Sequence, residues 1–202
     1  DWLEDGRINM GMVPVVSLFT NPDWYVAGIN MIGSNGPVRS VLLVGNDPAA
    51  ATRLYMDSHS RTSNMLAVIV MQKQLGNNQF EIADSPSTLP THPEKLPADG
   101  EVHVLIGSHA NSWISRHGQG AVTLPDSTRV GCLDLGECWT RWTGLPFVYA
   151  VWATHPDVRT GIWPKRLDEQ LKSNLLRIRE VISACPNLEE EKMTAEKAED
   201  YL

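Results

Sequence analysis

The stretch Ser60-Arg61-Thr62-Ser63 has the residue types and the position to hold an anion. It falls between a strand expected over Arg53–Asp57 and a helix expected over Asn64–Leu75, where unpaired backbone N–H groups and the positive end of the helix dipole point outward. Such a terminus accepts a carboxylate. The same residues have a plainer use, because Ser and Thr are ordinary N-caps worth about 1 kcal/mol each. Two further places offer donors. Gly33-Ser34-Asn35-Gly36-Pro37, followed by Ser40, is a glycine turn that lets backbone amides approach a ligand, although its composition is equally that of a simple turn. Ile106-Gly107-Ser108 closes an expected strand, and the carboxyl ends of strands are where open α/β sheets bind ligands.

Other chemistries find little support. None of the six histidines shows the HxxxH or HExxH spacing that puts two imidazoles on one helix face, and His92 and His155 precede prolines. His59, beside the serine cluster, is the better acid or base candidate, with an exposed loop histidine as the simpler reading. No GxSxG elbow, GxGxxG turn or P-loop occurs. The cysteines Cys132, Cys138 and Cys185 are odd in number and form no CxxC pair, so reduced thiols in a cytoplasmic protein are expected. A net charge of -7 provides no basic footprint for nucleic acid, so an anionic ligand must be held by local donors. No apolar run approaches the roughly 20 residues of a membrane span. The opening Asp-Trp-Leu-Glu-Asp-Gly resembles the tail of a helix, so further residues are expected before it.

The elements that must position these residues follow from periodicity. Strands are expected over Arg7–Pro14, Trp24–Ile32 and Val38–Val44, with a helical turn at Val15–Phe19. From Arg53 onward strands alternate with helices: Phe80–Ala83 and Glu101–Ile106 join Arg53–Asp57, which argues for a parallel α/β sheet. Asp84–Gly100, with four prolines among Ser, Thr and Asp, reads as an exposed loop. Leu167–Ser183 reads as a helix with Leu171, Leu175, Ile178 and Ile182 on one face, and a charged, helical tail over Leu188–Leu202 follows.

The densest local pattern is Leu133–Trp152. Leu135, Cys138, Trp139 and Trp142 recur at helical spacing, Gly144 and Pro146 stop the helix, and Phe147–Trp152 is an apolar run suited to a strand covered on both faces. Trp139, Trp142 and Trp152 are expected in the core, each with a partner for its indole N–H. The two long apolar strands, Val38–Val44 and Phe147–Trp152, are expected to pair as a two-strand hinge. The stretch DLGECWTRWTGLPFVYAVW resembles the segment DLG-x-x-W-x-x-WTGLPFV-[FY]-AVW of the chorismate dehydratases that open the futalosine route to menaquinone, the MqnA family. GPVRSVLL at Gly36–Leu43 and DSHSRTS at Asp57–Ser63 match the same family in the same order.

That resemblance implies a two-lobed type II periplasmic-binding-protein-like α/β fold with a ligand cleft. The first lobe would join residues 1–44 to 146–202, and residues 45–145 would form the second. It implies a lyase acting on chorismate without metal or organic cofactor, with Ser34, Ser40, Ser60, Arg61, Thr62, Ser63, Gly107 and Ser108 as substrate-binding candidates. The family generally has Asp where this chain has Ser108, which weakens that assignment. The asparagine of an early Y-L-N-like motif, to which the family assigns catalysis, has no counterpart in this chain. No catalytic residue is therefore expected here, and these residues alone are expected to lack turnover. A solute-binding-like module that captures a small carboxylate, and the dihydroxynaphthoate synthase branch of the same pathway, are the alternatives.

Overall fold

The computed structural model describes residues 2–84, 97–118, 120, 122–123, 129–158 and 161–184. Within these the chain divides into two compact units: residues 1–13, 21–31 and 151–202 in the first, and residues 14–20 and 32–150 in the second. The stretch expected to end the first lobe at residue 44 groups with the second unit from residue 32 onward. The tail over 188–202, His92 and Cys185 lie outside the described residues.

The second unit is built on six strands. These are β3 (Val41–Gly45), β4 (Arg53–Met56), β5 (Glu81–Asp84), β6 (Glu101–Ile106), β7 (Val122–Thr123) and β8 (Arg129–Asp134), in the order β5-β4-β6-β3-β8-β7. β4 runs parallel to β5 and β6, but β3 runs antiparallel to both of its neighbours, β6 and β8, so the sheet is mixed and not purely parallel as expected. A parallel neighbour needs a crossover connection of a dozen or more residues. β3 enters from a tight turn at residues 36–40 and can take the opposite direction.

Residues 14–20 contribute a one-turn helix, α1 (Ser17–Thr20). Helices cover both faces of the sheet. On one side of it α2 (Arg61–Ile69) and α4 (Leu135–Thr143) pack on Leu43, Leu54, Val102 and Val104, all fully buried. On the other, α3 (Gly107–His117) sets Ala110 and Trp113 against Leu42, Val44 and Cys132. All five residues of β3 are buried, which is why it reads as a continuous apolar run. α2 starts three residues before the expected Asn64, because Ser60 is its cap, and ends in a π-helical segment at Val70–Gln74. α3, β7 and β8 occupy a stretch for which the sequence suggests no element. α4 ends as expected, with Gly144 in the left-handed conformation at φ 72°.

The remaining strands are β1 (Met10–Pro14), β2 (Tyr25–Ser34) and β9 (Phe147–Thr154), in a three-stranded sheet of order β1-β9-β2. Each of the three has residues in both units. The expected pairing of Val38–Val44 with Phe147–Trp152 does not occur, because the first is central in the six-stranded sheet and the second central in the three-stranded one. Their shared apolarity marks two central strands and carries no information about partners. The first unit also contains α5 (Trp163–Leu176) and α6 (Ile178–Ser183), separated at Arg177 where a single helix was expected. The expected stripe divides with it: Ile182 is buried at 5% exposure, but Leu175 stands 57% exposed.

The tryptophans separate likewise. Trp139 donates from its indole to the Pro146 carbonyl at 3.3 Å and sits edge-on to Phe147, whereas Trp142 is 45% exposed and is not core. The indole N–H of Trp152 is buried without a hydrogen-bond partner, contrary to expectation.

Among the buried titratable groups of the second unit, one bears on the pH dependence of stability. His103 of β6 stacks on the Tyr55 ring at 4.5 Å, and its Nε2 lies 3.8 Å from a Glu101 carboxylate oxygen. Burial pushes the imidazole pKa below its ordinary value, and the pull of Glu101 offsets only part of this. The unfolded chain therefore binds this proton more readily than the folded one. Its contribution to stability is full above about pH 6.5 and is lost as the pH falls through the lower folded value. Between pH 7 and pH 5 the urea midpoint of the wild type should drop more steeply than that of His103→Phe, which keeps the ring stack and has no proton to bind. Parallel slopes for the two proteins would remove His103 as the cause.

Candidate functional site

β4, β6 and β8 run in one direction and each leads directly to a helix, so α2, α3 and α4 all begin at the same edge of the six-stranded sheet. β3 runs the other way, which brings its entry turn to that edge as well. All eight binding candidates belong to the second unit, and the edge collects them.

At the start of α2, Ser60 is the N-cap, with extended backbone and a side chain that accepts from the Ser63 N–H at 3.2 Å. Its hydroxyl also donates to Ser63 Oγ at 2.7 Å, so Ser60 and Ser63 are tied to each other. The plain N-cap reading therefore holds for Ser60. Thr62 is different. It is 3% exposed, and its hydroxyl is buried with no hydrogen-bond partner. A buried, unsatisfied hydroxyl costs about 1–3 kcal/mol, which a partner supplied from outside the chain would recover. Arg61, beside it, is exposed. The loop before the helix is rigid, because Asn64 exchanges two hydrogen bonds with the Asp57 backbone, at 2.9 and 2.7 Å. His59 donates its N–H to Asp57 at 2.7 Å, but its side chain is 81% exposed, which fits the simpler reading of a loop histidine.

At the start of α3, the Gly107 N–H donates to the Ser40 carbonyl at 2.9 Å, which joins two of the predicted residues directly. Gly107 has a φ of 54° and the helix has no side-chain cap. Ser108 is exposed in its first turn. Ser40 is 5% exposed.

The start of α4 is filled from within the chain. Asp134 accepts from the Glu137 N–H at 3.0 Å, from Val38 N–H at 3.0 and 3.1 Å to its two oxygens, and from Arg39 N–H at 2.7 Å. Thr140 Oγ1 accepts from the Gly36 N–H at 3.0 Å. The entry turn of β3 is thus clipped onto α4. Ser34 lies 3.4 Å from the Tyr149 hydroxyl of β9, and Gly136 is what permits this: a Cβ there would stand 2.7 Å from Ser34 Oγ, 2.8 Å from the Gly36 carbonyl and 3.0 Å from Tyr149 Oη.

Sequence reasoning names Asp134 and Gly136 only as part of a motif and gives Tyr149 no role. The signal for the first was present, since Asp followed three residues later by Glu is a helix-start signature. The cysteines are not reactive candidates: Cys132 and Cys138 are free, and burial pushes both thiols up to about 11. Among the described residues no group of three or more His, Cys, Asp or Glu could hold a metal ion, and no helix is long and apolar enough to cross a membrane.

A mixed sheet covered on both faces, with open helix starts gathered at one edge, in a chain of two compact units, defines an α/β protein of the type II periplasmic-binding-protein-like class. Solved structures agree on the fold. Protein AF1704 of Archaeoglobus fulgidus matches with a TM-score of 0.59 at 14% identity, over 98% of this chain and 69% of its own. An ABC transporter protein from Parabacteroides distasonis matches with a TM-score of 0.53 at 16% identity, over 99% and 67%. The family model for menaquinone biosynthesis matches residues 1–202, and the chain belongs to that family.

Asp134→Ala removes the acceptor for three backbone N–H groups and should cost about 2–4 kcal/mol in urea unfolding, with Asp134→Asn between it and the wild type. Equal unfolding midpoints for all three proteins would show that the clip does not hold the turn.

Proposed function

We propose that the chain is a chorismate dehydratase, a lyase that removes water from chorismate to give 3-[(1-carboxyvinyl)oxy]benzoate in menaquinone biosynthesis. The observation that carries this reading is the buried, unpartnered Thr62 hydroxyl in the first turn of α2, whose start shares one sheet edge with the uncapped start of α3. Membership of the menaquinone biosynthesis family supports the pathway, and the resemblance of the WTGLPFVYAVW stretch favours the dehydratase over the dihydroxynaphthoate synthase branch.

The reaction asks little of the protein. A ring C–H bond breaks, hydroxide leaves with that proton as water, and the ring becomes aromatic, which drives the step. The site must hold two carboxylates, fix the ring and exclude solvent. Arg61 and Thr62 at α2 and Ser108 at α3 are the proposed carboxylate donors, Ser60, Ser63, Ser40 and Gly107 shape the two helix starts that present them, and Ser34 is proposed to contact the ring substituents. No metal or organic cofactor takes part in this scheme, and no catalytic base is assigned.

Incubation of the full protein with chorismate, followed by chromatography for the enolpyruvyl benzoate, tests the activity, and residues 1–202 alone are expected to give no turnover. Calorimetric titration tests binding separately, so saturable binding with no product would identify a carboxylate-binding module instead. Thr62→Val keeps the buried shape and deletes the orphan hydroxyl. It should melt at or above the wild type while binding chorismate about tenfold or more weakly, the value of a hydrogen bond to a charged group. Unchanged affinity in this variant would withdraw Thr62 from the site.

A further inference from the structure

We propose that Arg39 is a specificity-determining residue of this edge, its guanidinium selecting ligands with two negative charges over ligands with one. The proposal rests on the carboxylate-binding reading above but not on chorismate as the ligand. Among the described residues, Arg39 is the one non-glycine residue with positive φ, at 63°. This is backbone that glycine adopts without strain and a side chain resists. Asp134 holds it there, through the 2.7 Å hydrogen bond from the Arg39 N–H and those from Val38. A non-glycine residue held in backbone that glycine would relax points to a use for its side chain.

That side chain is exposed, and no fold-stabilising role is visible for it. Other arginines pair: Arg7 with Asp5, Arg53 with Glu81 and Glu101, Arg141 with Glu137, Arg177 with Glu180. The Arg39 guanidinium has no ion pair or hydrogen bond among the described residues. It is next to Ser40, whose carbonyl is fixed by Gly107 at the start of α3. The carboxylate that holds this turn, Asp134 at the end of β8, already accepts from three backbone N–H groups. In a chain of net charge -7 the overall field repels a dianion, so a local unpaired cation is what can tell two charges from one.

The test is calorimetric titration of wild type and Arg39 variants with three probes: chorismate, benzene-1,3-dicarboxylate as a second dianion, and benzoate as a monoanion. Arg39→Gln should weaken both dianions by about five- to tenfold and benzoate by about twofold or less, and added salt should shrink the difference. Arg39→Lys should stay within about twofold of wild type because the charge remains. Arg39→Gly should bind like Arg39→Gln and melt at or above the wild type, because the backbone strain is relieved. Dianion affinity unchanged in Arg39→Gln, equal loss for one and two charges, or a lower melting temperature in Arg39→Gly would each overturn the proposal. Wild type that binds the benzene dicarboxylate but not chorismate would refute the substrate reading and leave the Arg39 comparison intact. Wild type that binds neither dianion overturns the Arg39 proposal as well.

Discussion

The Asp134 carboxylate is the constraint on which the edge of the second unit depends. One side chain caps α4 through the Glu137 N–H and holds residues 38 and 39, almost a hundred positions earlier in the chain. The two tasks are coupled, because a helix N-terminus has orphan donors that need an acceptor and a tight turn has N–H groups that its own carbonyls cannot reach. A carboxylate has lone pairs enough for both. The consequence is that the turn before β3 is set by the position of α4, and Ser40 and Gly107 follow from it through their shared hydrogen bond. Gly136 completes the fit, since any larger residue in that first turn would displace Ser34, Gly36 or Tyr149.

Strand direction does the rest. Three strands running one way deliver three helix N-termini to one edge, and the antiparallel β3 returns a turn to the same place. Of the three helix starts, one is stopped by Asp134. The other two differ in how they are completed: α2 has a serine cap that takes one N–H, and α3 has no side-chain cap. An anion at such an edge meets backbone dipoles and hydroxyls fixed by the fold and needs no cluster of positive side chains. This is how a chain of net charge -7 can be suited to a carboxylate ligand.

What was legible in the sequence was local. Glu101–Ile106 is a strand with the expected bounds, the Gly144 stop is where the pattern puts it, and the serine cluster does open a helix. What was hidden depends on partners far apart in the chain. Val38–Val44 and Phe147–Trp152 look alike because each is a central strand, and nothing in either run says which strands flank it. α3 has only a narrow apolar stripe, Ala110, Trp113 and Ile114, and begins at a glycine, so its period is faint. Leu175 belongs to a regular stripe and yet is exposed, because the break at Arg177 divides the helix that would have aligned it with Ile182. The proposed site residues Ser60–Ser63 and Ser40 come from residue type and place alone. The clip that sets the turn before β3 could not be read from the sequence, because it is a contact between residues 38 and 134.

The stability of the second unit bears on why Thr62 can be left unsatisfied. An orphan buried hydroxyl costs about 1–3 kcal/mol of stability and a left-handed arginine about 1–2 kcal/mol. Both sit where the surrounding structure over-determines the backbone: Thr62 one turn from the fully buried Leu66, and Arg39 under the Asp134 clip. Removing either strain in isolation would make a more stable fold. In the proposed carboxylate site such donors would remain unpaired until a ligand arrives, held open by fixed neighbours and not by partners. The same logic separates the two serines of the cluster from the threonine between them: Ser60 and Ser63 satisfy each other and shape the helix start, which leaves the Thr62 hydroxyl as the group with bonding capacity to give.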